Sequence, residues 1–148
     1  MTFDLAQFAP ELLEAMPDAV VYTDANGVIR YWNEGAVRIF GFSRSEAQGQ
    51  TLDLIIPENL RERHWDGFNR TMATGRSRYG AGDVLAVPAL RRDGTRISVE
   101  FTIVMFRDEQ GVVTGIAAVL RDVSKQFAQM RELRKQVAQL MAQGRADA

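Results

Sequence analysis

Cysteine is absent from the 148 residues. That excludes disulfides, zinc–thiolate sites, thiol catalysis and thiol–flavin photochemistry. Histidine occurs once, at His64, so no paired-histidine metal site can form. No apolar run approaches the ~20 residues needed to span a bilayer. The first ten residues carry Asp4 and lack a basic segment, so they do not read as a signal peptide. The net charge of −1 supplies no field to attract nucleic acid or an anionic membrane. Walker, nucleophile-elbow and GxGxxG motifs are missing as well. The expectation is a cytoplasmic protein, or a cytoplasmic piece of a larger one, that is not an enzyme.

What is present is ordinary globular material: 46% of residues are apolar and 25% charged, which argues against disorder. The length fits one domain plus a tail. Leu5, Phe8, Leu12 and Leu13 mark a short amphipathic helix over 1–16, which Pro17 ends. Ala19–Thr23 and Val28–Trp32 flank Asn26-Gly27, a hairpin signal because both turn residues tolerate positive φ. Asn33 can cap a helix closed by Gly41, and Ser43-Arg44-Ser45-Glu46 is a capping box.

Pro57 suits the first turn of a longer helix that reaches about Ala73 and stops at Gly75. Tyr79 to Asp83 reads as a glycine-rich loop, and Val84–Leu90 as a strand whose Pro88 marks an edge or bulge. After a turn at Arg92–Thr95, the residues Ile97, Val99, Phe101, Ile103 and Met105 alternate with polar ones, the period of a half-buried strand. Asp108–Gly111 leads into a last strand, Val112–Leu120. The fold class is α+β: a five-stranded antiparallel sheet with helices on one face.

His64 lies on the long helix. At ~100° per residue, Leu60, Phe68 and Thr71 fall within about 40° of it. It therefore sits inside the apolar stripe. Two readings stand side by side: a half-buried histidine with one local hydrogen bond, or a neutral imidazole ligating haem iron.

The order of motifs resembles the PAS sensory fold. The matching residues are Met16-Pro17-Asp18-Ala19, Tyr31-Trp32-Asn33, Phe40-Gly41-Phe42-Ser43, Arg91-Arg92-Asp93-Gly94-Thr95 and Arg121-Asp122-Val123-Ser124, across Leu12 to Ser124. Within that family, Arg61-Glu62-Arg63-His64, then Phe68, then Thr74-Gly75, resembles the helix carrying the proximal histidine of haem-binding PAS domains of bacterial oxygen and redox sensors. The resemblance implies haem b on His64, with iron as the metal. Leu60, Phe68, Phe101, Ile103, Ile116 and Ala118 would surround the porphyrin, and a diatomic gas or a redox change would be the signal. Gly115, Ala117 and Ala118 in mid-strand hint at room for it. Met72 or Met105 is a candidate second axial ligand. One departure stands out. The family places an arginine after the glycine-rich segment, where this chain has Asp83, and a carboxylate repels the negative charge on bound oxygen. The alternatives are a PAS dimerisation or interaction module that is empty or holds another small molecule, including a flavin.

From Lys125 to about Gln143, Phe127, Met130, Leu133, Val137, Leu140 and Met141 recur close to a heptad seam, with Asp122 or Ser124 as the cap. Such a stripe must pack on another chain or fold back on its own sheet. The expectation is a homodimer through the N- and C-terminal helices, with the latter reporting to an effector domain or partner protein. The organisation is then an N-terminal helix over 1–16, the PAS domain over 17–123 and a signalling and dimerisation helix over 124–148.

Overall fold

The structure, a computed structural model, describes residues 2–78, 80 and 82–147. In chain order the elements are α1 (Leu5–Ala15), β1 (Ala19–Asp24), β2 (Ile29–Trp32), α2 (Glu34–Phe40), α3 (Arg44–Ala47), a 3-10 turn at Leu52–Leu54, α4 (Glu58–Thr74), β3 (Leu85–Leu90), β4 (Arg96–Arg107), β5 (Val113–Asp122) and α5 (Ser124–Ala146). Tyr79 and Ala81 of the expected glycine-rich loop lie outside the described residues.

The strands form one antiparallel sheet in the order β2-β1-β5-β4-β3. β3 is an edge strand, and Pro88 sits where its missing N–H costs no interior ladder bond. Register fixes the faces. Phe101 pairs with Leu120, Ile103 with Ala118 and Met105 with Ile116. Ala118 in turn pairs with Val21, and Val21 with Trp32. These side chains share the inner face, where the core gathers Ala19, Val21, Ile29, Trp32, Phe40, Val99 and Leu120. Trp32 and Phe40 meet at 5.5 Å between ring centroids, both fully buried. Each such side chain contributes roughly 1.5–3 kcal/mol of burial.

The caps explain the short helices. Asn33 accepts from Ala36 N at 2.9 Å, and Gly41 closes α2 at φ +83°. Ser43 and Glu46 complete both halves of the capping box on α3. Three expectations need correction. The β1–β2 turn has positive φ at Gly27 alone, because Asp24 Oδ1 accepts from Asn26 N and Val28 N and shapes the loop as an Asx turn. The N-cap of α5 is Val123. Ser124 Oγ instead accepts from Ser98 N, so this hydroxyl ties the helix root to β4 rather than capping it. Gly115 and Ala117 lie on the outer face, opposite Asp24 and Tyr22. A Cβ at Gly115 would sit 2.1 Å from the Tyr22 hydroxyl, so the glycine makes room for a tyrosine and not for a ligand.

α1 buries no residue, and the six seam residues of α5 are all exposed. α1 is held at its C-terminal end by polar contacts: Asn33 to Leu13 O, Tyr31 to Glu14, and Arg44 to Glu14. Among the described residues, no helix is long and apolar enough to cross a membrane.

Candidate functional site

α4 crosses one end of the sheet. Near its middle, Trp65 and Phe68 lie against Gly27 in the β1–β2 turn. At its C-terminus, Arg107 of β4 donates to Gly75 O at 2.6 Å and to Gly111 O at 3.2 Å, so one guanidinium clasps the helix end to the β4–β5 turn. Both turns sit at the same end of the sheet, because Asp24 pairs with Gly115. The N-terminal half of α4 is fixed from the other side. Arg61 donates to Ile56 O at 3.0 Å and Asp53 O at 3.3 Å, and Trp65 Nε1 donates to Asp53 Oδ1 at 2.8 Å.

His64 lies between these anchors. Its ring stands edge-on to Trp65 at 4.8 Å and nearly parallel to Phe68 at 6.3 Å. Nδ1 is shielded from solvent and has no hydrogen-bond partner. Burial pushes its pKa below the ordinary histidine value, and the Asp53 carboxylate pulls the other way without reversing the direction. The imidazole is therefore kept neutral, with a ring lone pair free. A neutral imidazole with an unpaired nitrogen in apolar surroundings is the donor that iron accepts. His64 could hold an iron, and the single local hydrogen bond expected of a half-buried histidine is missing at Nδ1.

The other expected site residues divide by element. Leu60 and His64 on α4 are half-buried, and Phe68 is the helix's buried residue. Phe101, Ile103, Ile116 and Ala118 share the inner sheet face and are half-buried too. α4 lies against β5. Apolar side chains that stay half-open on a face covered by a helix suit a flat apolar group. Met72 and Met105 are half-buried, on α4 and on the same sheet face. Asp83 is exposed and turned into its own loop, where Oδ2 accepts from Gly80 N at 2.7 Å. Its charge is engaged locally, which weakens the objection it raised. Arg63, Arg70, Arg76 and Arg78 are exposed, as a solvated face requires.

Sequence reading missed three participants. Asp53 positions Trp65 and biases His64 from a 3-10 turn with no local signal. Thr23 is a buried polar residue on the inner face, paired with Ile116. Arg107 holds the end of α4, and only its place beside a turn glycine could have suggested that.

A family model described as the PAS fold matches residues 7–123. Sensor protein FixL of Bradyrhizobium diazoefficiens is 31% identical over 90% of this chain, which spans 27% of that protein. Oxygen sensor protein DosP of Escherichia coli is 27% identical over 86% of the chain, which spans 16% of it. The chain is thus about a quarter or less of the length of these curated relatives. Among solved structures, the PAS domain of a Colwellia psychrerythraea protein superposes with a TM-score of 0.71 at 22% identity, covering 82% of this chain and 99% of that one. An RNA-binding Light-Oxygen-Voltage receptor gives 0.71 at 18% identity, over 90% of this chain and 37% of the other.

Proposed function

As a member of the PAS fold family, the chain is a sensory domain, and we propose that it holds haem b through His64 and relays the state of the iron to a partner through α5. The observation that carries this reading is the shielded, partnerless Nδ1 on an imidazole that burial keeps neutral. Leu60 and Phe68 flank His64 along α4. Phe101, Ile103, Ile116 and Ala118 form the facing apolar wall. Bound haem would supply an iron able to bind a diatomic gas or to change redox state.

The chain's own residues do the rest. Asp53 holds Trp65, and Trp65 holds the edge of the imidazole, which fixes the ring plane. The inner-face strands lead to Asp122, whose Oδ1 accepts from Ser124 N at the first residue of α5. Val123 N donates to Ser98 O, and Ser98 N to Ser124 Oγ, so movement of β4 reaches the helix root directly. The division into 1–16, 17–123 and 124–148 goes with this reading. So does a homodimer through α1 and α5, whose apolar residues are exposed. Similarity to proteins named as a sensor and an oxygen sensor supports a gas or redox signal.

The competing reading is a PAS interaction module that is empty or holds another small molecule. Likeness to Light-Oxygen-Voltage structures, one of them described with a flavin analogue, brings flavin into that class. The absence of cysteine removes only the thiol-adduct version.

Absorption spectra of the purified chain, oxidised and reduced, separate these. Haem gives a Soret band that His64→Ala abolishes. Retention of the band in His64→Ala overturns the ligand assignment. A colourless protein after growth with excess haem overturns haem binding, and a yellow protein with bound nucleotide assigns flavin.

A further inference from the structure

A cleft lies away from α4, at the root of α5. It has a volume of about 320 Å³ and is lined by Asp18, Arg38, Arg91, Arg121 and Asp122 with Pro17 and Ile39. Four parts of the fold meet there: the segment before β1, the outer turn of α2, the loop after β3 and the end of β5. We propose that this cleft binds a small oxyanion, a carboxylate or phosphate group, held by the guanidiniums of Arg38 and Arg91.

The cleft's charged groups differ in whether they are paired. Arg121 already has its partner, donating through Nε at 3.3 Å and through a terminal nitrogen at 3.1 Å to the two oxygens of Asp18. Asp122 Oδ1 is likewise occupied, accepting from Ser124 N at 2.9 Å. Arg38 and Arg91 are different. Arg38 donates to the Pro17 carbonyl, and among the described residues neither arginine has a carboxylate within 4.0 Å. Arg91 Nε is shielded from solvent and has no hydrogen-bond partner at all. Its terminal nitrogens make no hydrogen bond among the described residues either, and they are the donors left to face the cleft. In the wall itself three guanidiniums stand against two carboxylates, with Asp93 acting on Arg91 and Glu100 on Arg121 from outside it. The planar fork of arginine matches carboxylate and phosphate oxygens in pairs.

Position gives the site a consequence. An oxyanion beside Arg91 competes with Asp18 for Arg121 and repels Asp122, which holds the first backbone N–H of α5. Occupancy is therefore felt at the junction between sheet and terminal helix. The site is independent of His64, and its success or failure leaves the haem reading untouched.

The test is an amide-resolved NMR titration of the full chain with sodium phosphate and with sodium succinate, against sodium chloride at matched ionic strength. The expected result is saturation with a Kd of about 10 mM or tighter, with shifts at Asp18, Arg91, Arg121 and Asp122. Arg38→Gln and Arg91→Gln should each weaken binding by about tenfold or more. Lys125→Gln, at an exposed residue in the first turn of α5 that is not in the cleft's wall, should leave it unchanged. Tighter phosphate assigns a phosphate ligand and tighter succinate a carboxylate. Shifts that stay linear and match chloride, or saturation that both arginine variants retain, overturn the proposal. Should Arg91→Gln fail to fold, the exposed Arg38→Gln decides alone.

Discussion

Gly27 and Trp65 touch in a way that only glycine allows: a Cβ on residue 27 would lie 2.5 Å from the indole ring. Two constraints coincide there. Gly27 has φ +78°, a region that disfavours any side chain. Trp65 cannot swing away freely, because its Nε1 is bonded to Asp53 Oδ1. Gly27→Ala should therefore cost about 2–4 kcal/mol, the sum of left-handed strain and overpacking. It should also disturb His64, whose ring rests edge-on against Trp65. Urea unfolding checks the first effect and the His64 ring NMR resonances the second. A loss below about 0.5 kcal/mol would show that the turn repacks easily.

Asn33 is fully buried, and its amide is fully used. Oδ1 accepts from Val20 N and Ala36 N, and Nδ2 donates to Leu13 O and Asp18 O. One side chain thus joins the end of α1, the start of β1 and the cap of α2. Asn33→Ala strands four backbone partners, two of them in buried bonds and two in part-buried ones, and should cost about 3 kcal/mol. Asn33→Asp keeps both accepted bonds but sets a carboxylate oxygen against two carbonyls. It should destabilise at neutral pH and recover partly on acidification, when the carboxyl can donate again. Denaturation midpoints of the two variants at pH 7 and pH 5 test this, and an Asp variant insensitive to pH would count against it.

The fold was legible where a local signal exists. Asn33, the Ser43–Glu46 box and Gly41 announce helix ends through side-chain chemistry that needs no partner elsewhere. Alternation from Ile97 to Met105 announced the inner face, and register confirmed it. The site was legible only through helical period, which placed His64 with Leu60 and Phe68. Its supports were not, because Asp53 reaches Trp65 from a separate turn and Arg107 reaches Gly75 across 32 positions. Gly115 shows the limit. A small residue in a strand says that something comes close, but not from which face, and here it was Tyr22. The outer face held another surprise, since Val104 and Phe106 continue the polar stripe of β4 yet are apolar and exposed.

The seam residues of α5 are exposed. Phe127, Met130, Leu133, Val137, Leu140 and Met141 recur near a heptad and touch nothing of their own chain that buries them. Helices in proteins draw most of their stability from packing an amphipathic face, and α5 packs this one on nothing of its own chain. If pairing with a second copy stabilises it, Leu133→Glu with Leu140→Glu should raise the dimer Kd by well over tenfold, more than about 1.4 kcal/mol. Helix content measured by circular dichroism should fall in parallel. Sedimentation equilibrium reads the first, and an unchanged mass distribution would place the interface elsewhere.

The pH dependence of stability isolates His64. Its folded-state pKa lies below the ordinary value because burial disfavours the imidazolium. The unfolded chain therefore takes up the proton first as pH falls. The contribution of this residue is fully present above about 6.5 and is lost as pH drops from there toward the folded value. Asp53 opposes the shift, so Asp53→Asn should deepen it and move the loss further into acid. In the cofactor-free protein, the urea midpoint should decline between about pH 7.5 and 5.5, a window above most carboxylate titration. His64→Leu, apolar and similar in size, has no proton to take up and should lose that part of the slope. The informative quantity is the difference between wild type and His64→Leu at each pH, since other groups cancel. Parallel curves across the window would mean that the imidazole is solvated, and would remove the physical basis for a lone pair kept free at neutral pH.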